Sequence, residues 1–379
     1  MNTPLLVSAL ELRDLTDPSA GPHALQLLLD DLVAADWGCP VDVQRSSPLV
    51  AVEDNYDRLG YEPDAVTRDA RYSRYVAETV MLRSHTSAGI PPALRRLAPE
   101  PDVLLVLPGL VYRRDVIDRL HVGAPHQVDL WRVTSSPVSL DDMVALVVTT
   151  VLPGARWRLT PASHPYTCDG RQIDVETPGG WVELGECGLI APAVLDRAGV
   201  RASGLALGIG LDRALMLRKG VDDIRLLRSA DPRVASQMLD LSPWRPVSRQ
   251  PAARRDLSVV VDGVPDAELL GDAVRGAVGE DAEALESVEI VTVTPYVDLP
   301  PAARGRLGLR PDQLNVLLRL TLRPPTGTLT AEEANRLRDA VYTAVHRGPR
   351  AELSAEQPAT GVDDREQGVA SGITSTSSG

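Results

Sequence analysis

Four short stretches carry the residues able to do chemistry. The first, Met81-Leu-Arg-Ser-His85-Thr-Ser87, sets polar side chains directly after an apolar run. The second reads Pro108-Gly-Leu-Val-Tyr112-Arg113-Arg114-Asp115, then Asp118 to His121, then His126-Gln127-Val-Asp129. The third, Trp181-Val-Glu183-Leu-Gly-Glu-Cys-Gly188, alternates as a strand with a carboxylate on one face. The fourth, Gly204 to Arg213, is a glycine-rich strand running into a helix. Together they suit a nucleotide-activating site. Arginines pair bidentately with phosphate oxygens, a carboxylate holds magnesium against them, and glycines let a polyphosphate or an adenine lie against the backbone. Each stretch alone has a plainer reading. Gly-x-Gly-x-x-Arg is also what close strand-helix packing looks like, and Tyr-Arg-Arg-Asp is a common solvated surface strand. Gly208 and Gly210 are not a dinucleotide fingerprint, because the third glycine and the following acidic strand end are missing.

The elements that must position these groups follow from periodicity. Residues 1–45 read as an extension, a short strand and then an amphipathic helix on which Leu25, Leu28, Leu29, Leu32 and Val33 share a face. Residues 46–241 alternate short apolar runs with turns and a few helices, which predicts a mostly antiparallel sheet rather than repeated βαβ units. Pro243, Pro246 and Pro251 mark a linker. Residues 242–350, which include it, predict a smaller α+β unit of order strand, helix, strands, helix, its last helix opened by the capping box Thr330-Ala-Glu-Glu333. Residues 351–379 have no apolar periodicity and read as a disordered tail. His23 and His346 fall on predicted helix faces and read as solvated.

Composition narrows the class. With 44% apolar residues the chain has ample core. No apolar run is long enough to span a membrane, and the N-terminus lacks the layout of a signal peptide, so a cytoplasmic protein is expected. Cys39, Cys168 and Cys187 form neither a disulfide framework nor a zinc site. A net charge of -13 argues against broad nucleic-acid affinity, so that any RNA contact is expected from a local arginine patch. Phenylalanine is absent from all 379 residues, against about a dozen expected from average usage. Lys219 is the one lysine among 39 basic residues, which marks a GC-rich coding sequence. That bias need not abolish Phe, since Tyr still appears 8 times, and the absence reads as selected.

In this order the four stretches resemble the class II phenylalanyl-tRNA synthetases, especially the single-chain organellar form. Asn55-Tyr-Asp-Arg-Leu looks like the approach to the family's first motif and Leu82 to Ser87 like its Leu-Arg-x-His-Thr-Ser strand. Tyr112 to Asp129 resembles its second motif, Pro165-Tyr166 and Trp181 to Gly188 its substrate-pocket strands, and Gly204 to Arg213 its third motif. Residues 249–347 resemble its ferredoxin-like anticodon-binding domain. The resemblance implies an α+β fold with a class II antiparallel sheet flanked by helices, and a two-step activation and transfer that uses ATP, Mg2+, an amino acid and tRNA. The lack of a long N-terminal coiled coil and the C-terminal domain carried on the same chain suggest a monomer that works without a second subunit type. Position by position, Arg113 would grip the α-phosphate, Arg213 would cover the adenine and reach the γ-phosphate, and Glu183 would hold metal and ATP. Pro125, His126, Gly208 and Gly210 would complete the ATP site. Gln127 and Asp129 would bind the amino group, with His85, Ser87, His164, Tyr166 and Ala206 lining the amino-acid pocket. Arg254, Arg255, Arg319 and Arg323 would form the tRNA-facing patch.

The departures bear on substrate. Pro125 stands where the family has an aromatic that stacks on adenine, Gln172 where a strand carboxylate is expected, and Asp212 shortens the usual Glu. The family's Phe-Pro-Phe, whose rings hold the substrate ring edge-to-face, reads His164-Pro165-Tyr166. Either His164 and the Tyr166 hydroxyl bond a polar ring substituent, or both are aromatic stand-ins from the sweep that removed every Phe. A Phe-free chain is translated even when charged phenylalanine tRNA is scarce, which fits a specialised second synthetase. Two other readings are transfer of the aminoacyl group to a carrier protein or small molecule, and a non-catalytic paralogue that binds tRNA or amino acid.

Overall fold

The computed structural model describes residues 3–247, 251–325 and 327–348. The tail expected at 351–379 lies outside them. Thirteen strands are present: β1 (Val41–Val43), β2 (Leu49–Ala51), β3 (Arg74–Tyr75), β4 (Val80–Leu82), β5 (Val103–Leu110), β6 (His126–Thr134), β7 (Trp157–Pro161), β8 (Thr167–Thr177), β9 (Gly180–Ile190), β10 (Ser203–Gly210), β11 (Ala253–Asp262), β12 (Leu285–Pro295) and β13 (Gln313–Leu322). The helices of eight residues or more are α1 (Thr3–Leu10), α2 (Ala24–Ala34), α3 (Leu140–Val151), α4 (Leu211–Lys219), α5 (Ala267–Val278) and α6 (Ala331–Val345).

The main sheet has the order β1-β5-β6-β10-β9-β8-β7, antiparallel throughout except for the parallel β1-β5 pair at its edge. Its two faces are chemically distinct because side chains alternate along each strand. Leu104, Val106, Val128, Leu130, Leu205, Leu207 and Ile209 point to one face, where α2, α3 and α4 bury them under Leu28, Leu32, Val144, Val147, Leu211 and Leu215. Asp129, Trp131, Ala206, Gly208, Glu186 and Gly188 are left on the other. The helices are held by local chemistry. Ser139 caps α3, with Asp141 and Asp142 in the first turn, where carboxylates complement the positive end of the helix dipole.

The N-terminal expectation needs correction. The predicted strand is the helix α1, which Pro4 in the first turn and a Leu/Ala-rich run favour. Residues 24–43, expected as part of an extension, supply α2 and β1 to the main layer. His23 is not solvated. It is 5% exposed and caps α2, its Nδ1 accepting from Leu25 N–H at 3.1 Å and its Nε2 lying 2.9 Å from the Leu227 carbonyl. His346 is half-buried after α6, stacked on Tyr342, with its Nδ1 accepting from Val260 N–H.

The C-terminal unit is a β11-β13-β12 antiparallel sheet with α5 and α6 on one face, burying Leu257, Val259, Val316, Leu318, Val274 and Val341. The capping box forms at α6: Glu333 accepts from Thr330 N–H at 2.8 Å, and Thr330 Oγ1 accepts from Glu333 N–H at 3.2 Å. Among the described residues the sheet has three strands, one fewer than the four of a ferredoxin-like βαββαβ unit. The unit is joined to the rest of the chain by polar contacts. Tyr72 donates to Asp266 at 2.6 Å, Arg74 to Asp272 at 2.6 Å, and Arg275 to the carbonyls of Asp115 and Val116. Glu286, 5% exposed, accepts from Arg119 at 2.6 Å and pairs with Arg323 at 3.2 Å.

Candidate functional site

A cavity of about 730 Å³ opens over the helix-free face of the main sheet, roofed by the 111–126 segment and by the start of α5. Arg113, Pro125, Gln127, Asp129, Glu183, Gly208, Gly210, Arg213, His85, Ser87 and Tyr166 all line it. Residues far apart in the chain thus meet around one space.

One end is built for anions. Arg213, in the first turn of α4, donates from one terminal nitrogen to the Glu183 carbonyl at 2.9 Å and lies with the other 3.2 Å from His121 Nε2. His121 Nδ1 is 2.8 Å from Asp118, so Asp118 and His121 together fix the guanidinium. Arg213 Nε is buried with no hydrogen-bond partner among the described residues, a donor left to spare on a residue that lines the cavity. Arg113, 43% exposed, is the second cation, its Nε 3.4 Å from the Asp115 carboxylate. Arg114 is taken by Asp272 of α5 at 3.2 Å. The floor between them is kept clear by Gly208 and Gly210 of β10, which stand opposite Asp129 and Gln127 on the cavity face.

His126 borders the same cavity, but its imidazole is turned into the protein. Its ring is 0% exposed, and both nitrogens are spent within the protein. Nδ1 meets Asp212 at 3.0 Å, while Nε2 accepts from Leu15 N–H at 2.9 Å and lies 3.2 Å from Arg228. The hydrogen bonds assign the proton to Nδ1, and the imidazole serves as a strut joining β6, the start of α4 and the N-terminal segment. Asp212 is therefore occupied as well.

The other end suits an amino acid. Asp129 is 4% exposed and accepts from Thr86 at 2.5 Å, Ser87 at 2.9 Å and Trp131 Nε1 at 3.0 Å. Burial pushes its carboxyl above the usual range in spite of these donors, so a cationic ammonium is the partner that would restore its charge. Aromatic faces surround it. Tyr166 stacks on Trp131 at 5.9 Å, and Tyr61 stacks on His85 at 5.7 Å. Burial lowers the His85 imidazole to about 4, so it is neutral at pH 7. Ala206 lies behind the wall, 2% exposed, paired with Trp131 on one side and Gly188 on the other.

His164 does not line the cavity. Its ring is stacked behind Tyr166 at 5.7 Å, and its Nε2 meets Glu186 at 2.8 Å. Glu186 is the residue of the pair that faces the space. Sequence reasoning gave no role to Glu186, Tyr61, Thr86, Trp131 or His121. The signal for Trp131 was present, since it stands two residues from Asp129 on one strand; Tyr61 follows no pattern, because it comes from an irregular segment.

The expected tRNA patch does not assemble. Arg254 and Arg255 are neighbours on a strand and so face opposite ways. Arg255 reaches Asn335 of α6 at 2.8 Å. Arg319 gives two donors to Asp256, both at 2.9 Å, and Arg323 is drawn to Glu286 between the two units. Only Arg254 is exposed without a strong partner of this kind.

A sheet of this topology with two arginines and a carboxylate converging over glycines is that of a class II aminoacyl-tRNA synthetase. The family described as "tRNA synthetases class II core domain (F)" matches residues 23–238, and the chain belongs to it. Within that class it is a member of the phenylalanyl-tRNA synthetase family. It is 31% identical over 235 residues to the phenylalanine--tRNA ligase alpha subunit of Prochlorococcus marinus (strain NATL2A), covering 59% of this chain and 69% of that one. The corresponding alpha subunit of Heliobacterium modesticaldum is 28% identical over 239 residues, covering 58% and 70%. A crystal structure of pyrrolysyl-tRNA synthetase from Desulfitobacterium hafniense overlaps 55% of this chain and 74% of its own at 18% identity, with a TM-score of 0.44. The relatives are named as alpha subunits, which lends no support to the expectation of a chain working alone. Among the described residues no helix is long and apolar enough to cross a membrane.

Proposed function

We propose that the protein activates phenylalanine or a ring-substituted phenylalanine with ATP and transfers it to a phenylalanine-type tRNA, as a specialised second synthetase. The observation that carries this reading is the convergence of Arg113, Arg213 and Glu183 on one cavity whose far end holds Asp129 among aromatic rings. The spare Arg213 donor and the half-exposed Arg113 fit a triphosphate. Arg113 would hold the α-phosphate while the amino-acid carboxylate attacks it and pyrophosphate leaves, and Arg213 would hold the far phosphates. Gln127 and Asp129 would fix the ammonium so that the carboxylate faces phosphorus. No side-chain nucleophile is needed; the rate comes from positioning and charge. Among the described residues no three metal-ligating groups cluster. Glu183 would hold a magnesium ion, which would supply charge that neutralises the phosphates. Pro125 would offer its ring face to the adenine. The C-terminal unit carried on the same chain supports action without a second subunit type, in the cytoplasm.

Amino-acid-dependent exchange of labelled pyrophosphate into ATP, run across phenylalanine, tyrosine, meta-tyrosine and the aminophenylalanines, tests the activation step. Exchange with at least one aromatic amino acid is expected, and its absence with all of them would remove the ligase reading. A second reading, transfer to an acceptor other than tRNA, is favoured by the dispersal of Arg255, Arg319 and Arg323 into internal contacts. Charging of phenylalanine tRNA by the purified protein separates the two.

A further inference from the structure

We propose that Glu186 selects an amino acid whose ring carries a hydrogen-bond donor, a hydroxyl or an amino group; the inference rests on the proposed function and names its substrate class. Strand register places Asp129, Gly208 and Glu186 in one row across β6, β10 and β9. Directly opposed residues share a face of the sheet, so the two carboxylates flank a gap that Gly208 leaves empty. Two strand spacings make that gap roughly 9–10 Å from backbone to backbone, about the span from an amino group across an aromatic ring. One carboxylate meets the ammonium. The other has no counterpart in a substrate that ends in a bare phenyl ring.

Glu186 is not simply a surface acid turned to solvent. Its side chain is 41% exposed and lines the cavity, while His164, 10% exposed, holds one carboxylate oxygen at 2.8 Å. Thr167 Oγ1, 3.3 Å from His164 Nδ1, orients the imidazole in turn. The remaining carboxylate oxygen makes no hydrogen bond to any described residue and is thereby a fixed acceptor open to a ligand. A phenyl ring seated beside it would displace its water and return only C–H groups, leaving a desolvated charge. A ring hydroxyl or amino group would return a hydrogen bond to an acceptor already in place, which is the arrangement that discriminates most strongly between ligands differing by one polar group.

The experiment is direct binding to the full chain, read by calorimetry, of phenylalanine, tyrosine, meta-tyrosine, 3-aminophenylalanine and 4-aminophenylalanine, repeated on Glu186→Ala and Glu186→Gln. At least one donor-bearing ring is expected to bind about tenfold or more tighter than phenylalanine. Glu186→Ala is expected to erase that ratio and Glu186→Gln, whose amide oxygen still accepts, to keep part of it. Because the readout is a ratio of ligands within one variant, a general loss of stability leaves it interpretable. Wild-type protein binding phenylalanine as tightly as every analogue overturns the inference, as does an equal loss for all ligands in Glu186→Ala, which would mark Glu186 as a brace for His164 only. Donor-bearing rings bound without any pyrophosphate exchange would sink the ligase reading and leave the role of Glu186 standing. No amino acid bound at all would overturn both.

Discussion

At the cavity, Arg113 and Arg213 keep donors unspent, and the nearby carboxylates Glu183 and Glu186 each present oxygen to the same space. On the C-terminal sheet Arg319 is spent on Asp256 and Arg255 on Asn335, while Arg323 does not line the cavity and lies 3.2 Å from Glu286. The difference teaches that an arginine marks a binding site when the fold holds it beside a cavity with a donor to spare. The cavity arginines stand over a floor stripped of side chains by Gly208 and Gly210, whereas the C-terminal unit brings Asp256, Asn335 and Glu286 within reach of its arginines.

That contrast can be broken most sharply at Arg213. Arg213→Ala is expected to lower the pyrophosphate exchange rate roughly 100- to 1000-fold, the cost of removing a preorganised donor from developing charge, with little change in melting temperature. A loss of only a few-fold would place Arg213 with the structural arginines. At Glu286 the expectation inverts. Glu286→Ala leaves Arg119, 43% exposed, and Arg323 without their shared acid, so stability should fall by roughly 1–3 kcal/mol in chemical denaturation. A stable variant would show that the junction does not depend on this buried acid.

A pH series sharpens the same boundary between structural and functional groups. Burial lowers His23 to about 4 from its ordinary 6.5. Its unfolded form therefore takes up a proton first on acidification, and the stability it contributes is full above about pH 6.5 and lost as pH falls toward 4. The span amounts to about 3 kcal/mol at most. His23→Asn, which keeps a helix cap but cannot titrate, should flatten the melting-temperature profile in that window relative to wild type; parallel profiles would contradict the assignment. The smallest effect is expected at Arg319→Ala, where an exposed ion pair is worth under about 1 kcal/mol. Exchange activity should be unchanged, and a marked fall in it would mean that this sheet reaches the active site.

The legible and illegible parts divide by distance along the chain. The spelling around Arg113, Glu183, Gly208 and Arg213 and the strand alternation at Gln127 and Asp129 could be read before any fold was known, as could the helix starting at the Thr330 capping box. His126 could not be judged, because its partners Leu15, Asp212 and Arg228 lie in three remote segments. Glu186 was hidden for another reason. It stands three positions beyond Glu183, and plain alternation would turn the two to opposite faces. A β-bulge skips Leu184, pairing Ile173 with Gly185 and Asp174 with Glu183, and the extra residue brings both carboxylates to the cavity.

The amino-acid sequence alone determined the class of sheet, the order of the motifs and the absence of phenylalanine, since these depend on local periodicity and composition. Which charges stayed free was decided only when the chain closed, because a guanidinium or a carboxylate acquires its role from neighbours that register, bulges and long-range packing deliver.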